Sequence, residues 1–489
     1  MLFRSNMRRI RSGSTLKAKA VEGAFWTLFG YGGSQALRLV SNLVLARLLF
    51  PAAFGLMALV NVLMQGLQMF SDVGIAPSII QNPRGETRSF LDTAWTVQVV
   101  RGGLLFLASC VLAYPAAQFF SHSDPSAWEL LQLIPVVGLT ALINGFQSTS
   151  LIVARRRLEF ARLSVLEIVT FAIRVAVMIS CAFVWPSVWA LVAGGIAGSV
   201  FHTAMSYIWF ADSRNRPRID RLALKELVRY GKWVFLSTLV TFLASQLDRA
   251  VLGRLISLSD LGLYSLALVF TRLAMVVAER LSGAVLFPVL SQKANDRKVM
   301  MDICVRAREG VLWCAGAACC ATAIGAPAFF GTLYDERYAK CGPIAQWLTL
   351  FIWTTILSSS VDHVPLAIGR PRTLFVSNVI KTLGMGLAVL GYQLGGLPGF
   401  IVSLAAMTGL AHVYVVWTLP SHRTHLNVQT ARFTLGFGAY ALVGVLVTDW
   451  AGAEELLLRV VVTVGVLVPP AVLTAIVLRR LVRQPSRRR

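Results

Sequence analysis

Charged residues are scarce in this chain, and acidic residues are the scarcest of them. Asp, Glu, Lys and Arg together make up 14% of the 489 residues, whereas soluble proteins carry about 25%. The seven cysteines show no C-x-x-C spacing of the kind that holds a metal ion. These shortages exclude a water-soluble globular protein as the main class, and they give no support to a metal site.

Hydrophobic sequence is abundant instead, at 56% of the residues. A transmembrane helix needs about 20 mostly apolar residues, and continuous runs of that length favour helices over a β-barrel. We therefore predict an all-α polytopic membrane protein with 14 spans. The runs lie at 21–44, 53–73, 91–113, 128–150, 163–184, 188–210, 231–252, 261–287, 310–332, 344–366, 373–393, 397–418, 433–449 and 459–479.

The charges are mostly basic, and their positions alternate along the chain. There are 46 Lys and Arg residues against 23 Asp and Glu, and 34 of the basic residues lie in the two tails and in every second connection between runs. The positive-inside rule then predicts that both termini are cytoplasmic. The basic face is expected to bind anionic lipid headgroups, not nucleic acid. One of these basic stretches, between spans eight and nine, contains Lys293, Arg297, Lys298, Arg306 and Arg308.

The sequence partly repeats itself. At a shift of 207 residues, LARLLFPAAFGLMAL matches LGRLISLSDLGLYSL, and at a shift of 215 Leu151, Arg155 and Arg157 match Leu366, Arg370 and Arg372. Both shifts move an element by six spans, so the two copies have the same orientation. We predict two parallel six-helix lobes around a central cavity, with a C-terminal helix pair. The expected limits are 1–227, 228–420 and 421–489.

The first 90 residues contain three distinctive segments: AFWTLFGYGGSQ, LARLLFPAAFGLMAL and FSDVGIAPSIIQ. With them the chain resembles the polysaccharide and O-antigen flippases of the multidrug/oligosaccharidyl-lipid/polysaccharide exporter superfamily. The resemblance implies transport of a polyprenyl-diphosphate-linked oligosaccharide from the inner to the outer leaflet of the bacterial plasma membrane. It also implies export of exopolysaccharide, capsule or O-antigen. The residues contain no nucleophile–base constellation and no set of metal ligands, so we predict transport without catalysis or a bound cofactor. A polysaccharide polymerase and export proteins are expected partners.

Basic residues inside the predicted spans are candidates for binding the diphosphate. A basic side chain at the bilayer centre costs about 2.5–3.5 kcal/mol, so most of them should face a water-filled cavity or a partner. Arginine binds phosphate oxygens in a bidentate manner and stays charged. The predicted substrate-binding residues are Arg38, Arg101, Arg174, Arg249, Arg272 and Lys381. The alternative is structural ion pairing, for example of Glu167 or Glu279 with an arginine on a neighbouring span.

The resemblance also implies coupling to a Na+ or H+ gradient, because related transporters are often driven by one. Carboxylates inside the spans are the candidates for that coupling. They are Asp248, Glu279 and Asp362. Moving one charge across the membrane is worth about 2.3 kcal/mol per 100 mV, enough to drive transport. The alternative for Asp248 is a simple ion pair with Arg249, its neighbour in sequence.

Two other functions compete with the flippase. A cation-coupled multidrug exporter of the same superfamily should present carboxylates and aromatic rings to cationic drugs, and the arginine excess argues against it. A polysaccharide polymerase or glycosyltransferase would need a sizeable loop with acidic or metal-binding residues, and the predicted outer connections are short.

Overall fold

The computed structural model describes residues 32–35, 37–71, 74–210, 215–281, 297–367, 370–419 and 423–451. Helices and their connections make up these residues, and no strand occurs among them. The first helices are α1 (37–48), α2 (Pro51–Phe70), α3 (Ile75–Gln81), α4 (Arg88–Phe120), α5 (Leu130–Gly145), α6 (Ser150–Arg156), α7 (Phe160–Val184) and α8 (Val188–Ile208).

The later helices are longer. They are α9 (Arg221–Leu255), α10 (Leu258–Leu281), α11 (Arg297–Leu333), α12 (Cys341–Ala367), α13 (Pro371–Trp417) and α14 (Arg423–Ala451). Helix α13 consists of two arms, because Gly395 and Gly396 have non-helical backbone angles and Gly396 has a φ of 60°. That left-handed conformation suits a residue without a Cβ, so this pair of glycines divides the predicted spans 373–393 and 397–418.

Ten helices in the described part of the chain are long and apolar enough to cross a membrane. The two arms of α13 count once among them, so they account for two of the predicted spans. The prediction of an all-helical, multi-pass membrane protein is confirmed. The count of fourteen stays a prediction, because the run at 459–479 and half of the run at 21–44 lie outside the described residues.

Helix boundaries agree with the predicted repeat. Helix α1 ends at residue 48 and α9 at Leu255, while α2 begins at Pro51 and α10 at Leu258, so both pairs are 207 residues apart. The glycine of the LARLLFPAAFG segment, Gly55, is packed so closely that a Cβ there would overlap the backbone carbonyl of Leu258. The segment therefore serves a structural purpose, because its glycine lets α2 approach the backbone at Leu258.

A second element, a 3-10 helix capped by an aspartate, occurs in both halves of the chain. Asp124 precedes a 3-10 helix (Pro125–Glu129) and accepts a hydrogen bond from the Ser126 amide at 3.0 Å. Asp335 precedes another 3-10 helix (Glu336–Tyr338) and accepts from the Arg337 amide at 3.1 Å. The two aspartates lie 211 residues apart, each between a long helix and the helix that returns. Both cap the short turn by the same side-chain-to-backbone bond.

The contacts divide the chain into two compact units. Unit 1 contains Met1–Phe242 and Leu252–Ser259, and unit 2 contains Leu243–Val251 and Asp260–Arg489. Within unit 1 the pairs α4–α5 and α7–α8 pack along their lengths, and within unit 2 the pairs α11–α12 and α12–α13 do so. The predicted lobe limits at 227 and 420 stay predictions.

Candidate functional site: the intramembrane cations

Helices α7 and α8 of unit 1 pack closely through two glycines. A Cβ at Gly194 would lie 2.6 Å from the carbonyl oxygen of Arg174, and one at Gly198 would lie 2.9 Å from the Arg174 Nε. Both separations are shorter than ordinary carbon contacts, so only glycine fits without a shift. The small-xxx-small spacing thus lets the helices approach, and it leaves room for the Arg174 side chain along α8.

Arg174 lies half-buried between these helices without a counter-charge. It makes no hydrogen bond or ion pair with any residue that the structure describes, and its Nε is shielded from solvent. Burying an unpaired charge is costly, because the group loses its hydration and gains nothing in return. The arrangement favours a ligand that supplies negative charge when it binds.

Arg38 of α1 is a second cation beside α7, and it too lacks an anionic partner among the described residues. Its guanidinium carbon lies 5.9 Å from the centre of the Phe171 ring, one helical turn before Arg174 on α7. Its charge acts electrostatically on Arg174. Two guanidinium groups that repel each other, from two helices, are complementary to a diphosphate, since each one can donate two hydrogen bonds to phosphate oxygens.

Further polar groups extend this site along α7 and α8. Thr170 Oγ1 and His202 Nδ1 are buried without a hydrogen-bond partner in the described part of the chain. The charges of Arg155 and Arg174 both act on His202. Glu167 pairs with Arg155 at 3.4 Å, so it does not neutralise Arg174. The alternative that Glu167 pairs with an intramembrane arginine is therefore wrong.

Arg101 lies in a different part of unit 1. Its Nη2 donates to the Gln68 carbonyl oxygen at 2.6 Å and its Nε donates to Ser71 Oγ at 2.9 Å. These acceptors belong to the last turn of α2 and to the residue that follows it, where helix carbonyls lack intrahelical partners and attract cations. Arg101 also lines a cavity of about 350 Å³. It shares no hydrogen bond with the Arg38–Arg174 pair.

In unit 2, Asp248 of α9 is a buried carboxylate that is 8% exposed. It accepts a hydrogen bond of 2.8 Å from the hydroxyl of Tyr264 on α10. Arg249 instead donates to Gln246 at 3.0 Å, and no ion pair joins Asp248 to Arg249 in the described residues. The expectation of such a pair is therefore wrong. Arg249 and Arg272 both act electrostatically on Tyr264, so these predicted residues gather around one buried hydroxyl.

Lys381 and Asp362, one predicted as a substrate ligand and the other as a coupling carboxylate, form an ion pair. The Lys381 Nζ lies 3.6 Å from Asp362 Oδ2, and each side chain is about a quarter exposed or less. They come from α13 and α12, so the pair links neighbouring helices. The side chain of Glu279, the third predicted coupling carboxylate, lies outside the described residues.

Arg308 differs most from its predicted position. The sequence placed it in a basic connection, but the structure places it inside α11 with no exposed surface. Its guanidinium donates to Ser360 Oγ at 2.9 Å, to Gln429 Oε1 at 2.8 Å and to Thr430 Oγ1 at 2.9 Å. These partners lie on α12 and α14. Arg308 therefore joins α14, part of the predicted C-terminal helix pair, to the rest of unit 2 through uncharged acceptors.

Basic connections meet at one end of unit 1. Arg84, in the connection after α3, pairs with Asp220 at 3.3 Å, just before α9. Glu86 pairs with Arg156 at 3.5 Å and with Arg157 at 3.0 Å, at the end of α6. The connections after predicted spans two, four and six therefore lie together. This grouping is what the charge alternation predicts for a cytoplasmic end.

Comparison with known families gives a consistent result. The sequence profile of a family described as polysaccharide biosynthesis protein matches residues 44–343. The succinoglycan biosynthesis transport protein ExoT of Rhizobium meliloti is 23% identical over 421 residues, which cover 83% of this chain and 81% of ExoT. The lipopolysaccharide biosynthesis protein WzxC of Escherichia coli is 24% identical over 390 residues, which cover 79% of this chain and 77% of WzxC.

Solved structures share the fold. The lipid II flippase MurJ in an inward closed conformation superposes with a TM-score of 0.66 and 15% identity, covering 95% of this chain and all of MurJ. An inward-facing multidrug resistance MATE family transporter gives a TM-score of 0.62 and 16% identity, covering 80% of this chain and 95% of the transporter. These similarities confirm the fold that the sequence predicts.

Proposed function

Because this chain belongs to the polysaccharide biosynthesis protein family, we propose that it is a flippase for lipid-linked oligosaccharides. It moves a polyprenyl-diphosphate-linked oligosaccharide from the cytoplasmic to the outer leaflet of the bacterial inner membrane, by alternating access. The naming of relatives for succinoglycan transport and lipopolysaccharide biosynthesis supports this function, as does the fold shared with a lipid II flippase. No bond of the substrate is made or broken.

The observation on which the proposal depends is the Arg38–Arg174 pair. Two cations on different membrane helices lie within electrostatic reach, and neither has a protein anion in the described residues. An uncharged or cationic substrate would leave this repulsion in place, whereas a diphosphate removes it. The same pair argues against the competing multidrug exporter, because it repels cationic drugs. We assign Arg249 and Arg272 a secondary part in the passage of the diphosphate. Lys381 is paired with Asp362 and Arg101 is held by the end of α2, so we assign both a structural role.

Energy input is assigned to Asp248. It is buried and receives one hydrogen bond from an uncharged hydroxyl, so binding a proton or Na+ would relieve an incompletely stabilised charge. We expect Asp248→Asn to abolish the dependence of transport on a Na+ or H+ gradient, while substrate binding persists. Flipping in proteoliposomes with and without an imposed gradient measures this dependence.

The grouped basic connections of unit 1 and the charge alternation support a cytoplasmic position for both termini. Anionic lipid headgroups fit the same face. Cysteine labelling of the N-terminal and C-terminal tails in sealed inner-membrane vesicles determines their side.

Substitution of Arg174 tests the flippase. Arg174→Gln keeps a polar side chain of similar length but removes the charge, so we expect surface polysaccharide to be lost and lipid-linked oligosaccharide to accumulate in the inner leaflet. Arg88→Gln is the matched control, because Arg88 is an exposed arginine at the start of α4. Equal export by both variants, at equal abundance in the membrane, would contradict the proposal.

The same variants can be compared in a purified system. Proteoliposomes containing a fluorescent short-chain polyprenyl-diphosphate sugar report its leaflet by accessibility to a membrane-impermeant quencher. We expect flipping by the unmodified chain and by Arg88→Gln, and a loss of at least tenfold in rate for Arg174→Gln.

A further inference from the structure

The cavity beside Arg101 has a lining unlike that of the Arg38–Arg174 site. It holds about 350 Å³ and lies within unit 1, where α4, the ends of α2 and α5 and the short helices α3 and α6 line it. Its volume is near the lower limit of small-molecule sites, about 300–1,000 Å³. The cavity therefore has room for one small ligand.

Arg101 is the charged residue of the lining, and the end of α2 already engages its guanidinium. The remaining polar lining consists of four uncharged amides. They are Gln68, Gln98, Asn144 and Gln147. A ligand in this cavity would therefore be recognised by uncharged hydrogen-bonding groups.

Much of the hydrogen-bonding capacity of these amides is unused. Gln98 donates through Nε2 to the carbonyls of Asn144, Gly145 and Gln147, which leaves its Oε1 without a partner in the described residues. Gln147 donates to Asn144 Oδ1 at 2.9 Å. Gln147 Oε1 and Asn144 Nδ2 then have no hydrogen-bond partner in the described residues.

Gln68 adds a whole side-chain amide to this set, because neither of its side-chain atoms has a partner in the described residues. None of the four side chains is fully buried. The cavity thus offers acceptors and donors in a small volume, open to a ligand.

Mixed neutral donors and acceptors are complementary to hydroxyl groups, each of which both donates and accepts. The apolar remainder of the lining, including Leu105 and Ile152, suits the C–H faces of a sugar ring. We propose that this cavity binds one neutral saccharide unit of the transported oligosaccharide. The inference rests on the proposed function, since the flippase provides the sugar, and it makes the cavity a specificity site separate from the diphosphate site.

Direct binding of free sugars tests the inference. Saturation-transfer NMR is recorded on the purified full chain in nanodiscs with glucose, galactose or N-acetylglucosamine. We expect transfer to at least one of them, with a dissociation constant of about 1 mM, corresponding to a few hydrogen bonds. Absence of transfer from all three sugars would overturn the proposal.

Two variants locate the binding. Gln68→Leu removes an amide that makes no side-chain hydrogen bond in the described residues, so it should weaken binding about fivefold to tenfold without unfolding the chain. The double variant Gln68→Leu/Asn144→Leu should abolish transfer. Gln65→Leu is the matched control, because Gln65 is exposed on the same helix and does not line the cavity. Undiminished transfer in the double variant would show that sugar binds elsewhere and would overturn the proposal.

Arg174→Gln separates the two proposals. It should retain sugar transfer in NMR while it loses flipping of the lipid-linked substrate. If sugar transfer follows the cavity variants but flipping survives Arg174→Gln, the flippase site is wrong and the cavity assignment stands. If flipping depends on Arg174 but the cavity variants leave sugar transfer unchanged, the cavity assignment is wrong and the flippase site stands.

Discussion

The two units of the chain use buried positive charge in opposite ways. In unit 2, Arg308 has three uncharged side-chain acceptors at 2.8–2.9 Å, and Lys381 has Asp362 at 3.6 Å. In unit 1, Arg174 has no hydrogen bond or ion pair in the described residues, and Arg38 faces it with a second positive charge. A buried cation whose hydrogen bonds are all made within the protein stabilises the fold, whereas one without partners is available to a ligand. The comparison therefore assigns structure to one set of cations and binding to the other.

The largest expected effect tests this difference with the same substitution in both units. Arg308→Met removes the hydrogen bonds to Ser360, Gln429 and Thr430 and leaves Gln429 Oε1 without a donor in the described residues, so we expect a loss of about 3 kcal/mol or more in unfolding free energy. Arg174→Met removes an unpaired buried charge, so stability should stay equal or rise.

Thermal melting of the two detergent-purified variants measures the contrast. We expect a clear fall in melting temperature for Arg308→Met and none for Arg174→Met. Equal falls would mean that Arg174 is structural and would remove the distinction between the units.

The Lys381–Asp362 pair gives the second test. Lys381→Met removes the lysine from its ion pair with Asp362, which should destabilise the chain by about 1–3 kcal/mol. Adding Asp362→Leu removes the half-buried carboxylate as well and should restore most of the lost stability. Thermal melting of the two single variants and the double variant gives the coupling energy between Lys381 and Asp362. Losses of stability that simply add in the double variant would argue against a structural pair.

Gly198 tests whether the position of the Arg174 side chain in unit 1 matters for export. A Cβ at this position would lie 2.9 Å from the Arg174 Nε, so Gly198→Ala forces the flexible guanidinium to shift. We expect polysaccharide export to fall severalfold with little change in melting temperature. Gly195→Ala is the control, since a Cβ there has no atom within 4 Å beyond the helix backbone. Wild-type export from Gly198→Ala would show that the position of Arg174 is unimportant.

The smallest effect is expected where a cation is paired but exposed. Arg155 and Glu167 lie 3.4 Å apart, with more than half of each side chain exposed. Such pairs contribute about 0.2–1 kcal/mol. Arg155→Gln should therefore shift the melting temperature least of all these variants, and a shift comparable to that of Arg308→Met would contradict the ranking.

Much of the fold could be predicted because its causes are local. Runs of about 20 apolar residues correspond to membrane helices, and the repeat at a shift of 207 predicts the paired boundaries at residue 48 and Leu255. The turn aspartates Asp124 and Asp335 escaped notice because their surrounding sequences differ, although each is followed by a short turn that it caps. A search for Asp before the shortest interhelical connections would have found them.

The candidate site was only partly predictable. Arg38, Arg101 and Arg174 are predicted as intramembrane cations, and their sequence context predicts the same role for all three. Arg101 belongs to the end of α2, 30 residues away at Ser71, and Arg308 has partners more than 50 residues away. The amides of the saccharide cavity attracted no notice, because single Gln and Asn residues near span ends carry no pattern.

Membrane insertion, the approximate limits of most of the described membrane helices and the pattern of basic connections follow from the order of the residues. Hydration and bilayer thickness act on each segment separately. Whether a given arginine has partners depends on what the neighbouring helices place beside it, and those helices are distant in the chain. Packing alone therefore separates Arg308, which donates hydrogen bonds to two neighbouring helices, from Arg174, which has no hydrogen-bond or ion-pair partner in the described residues.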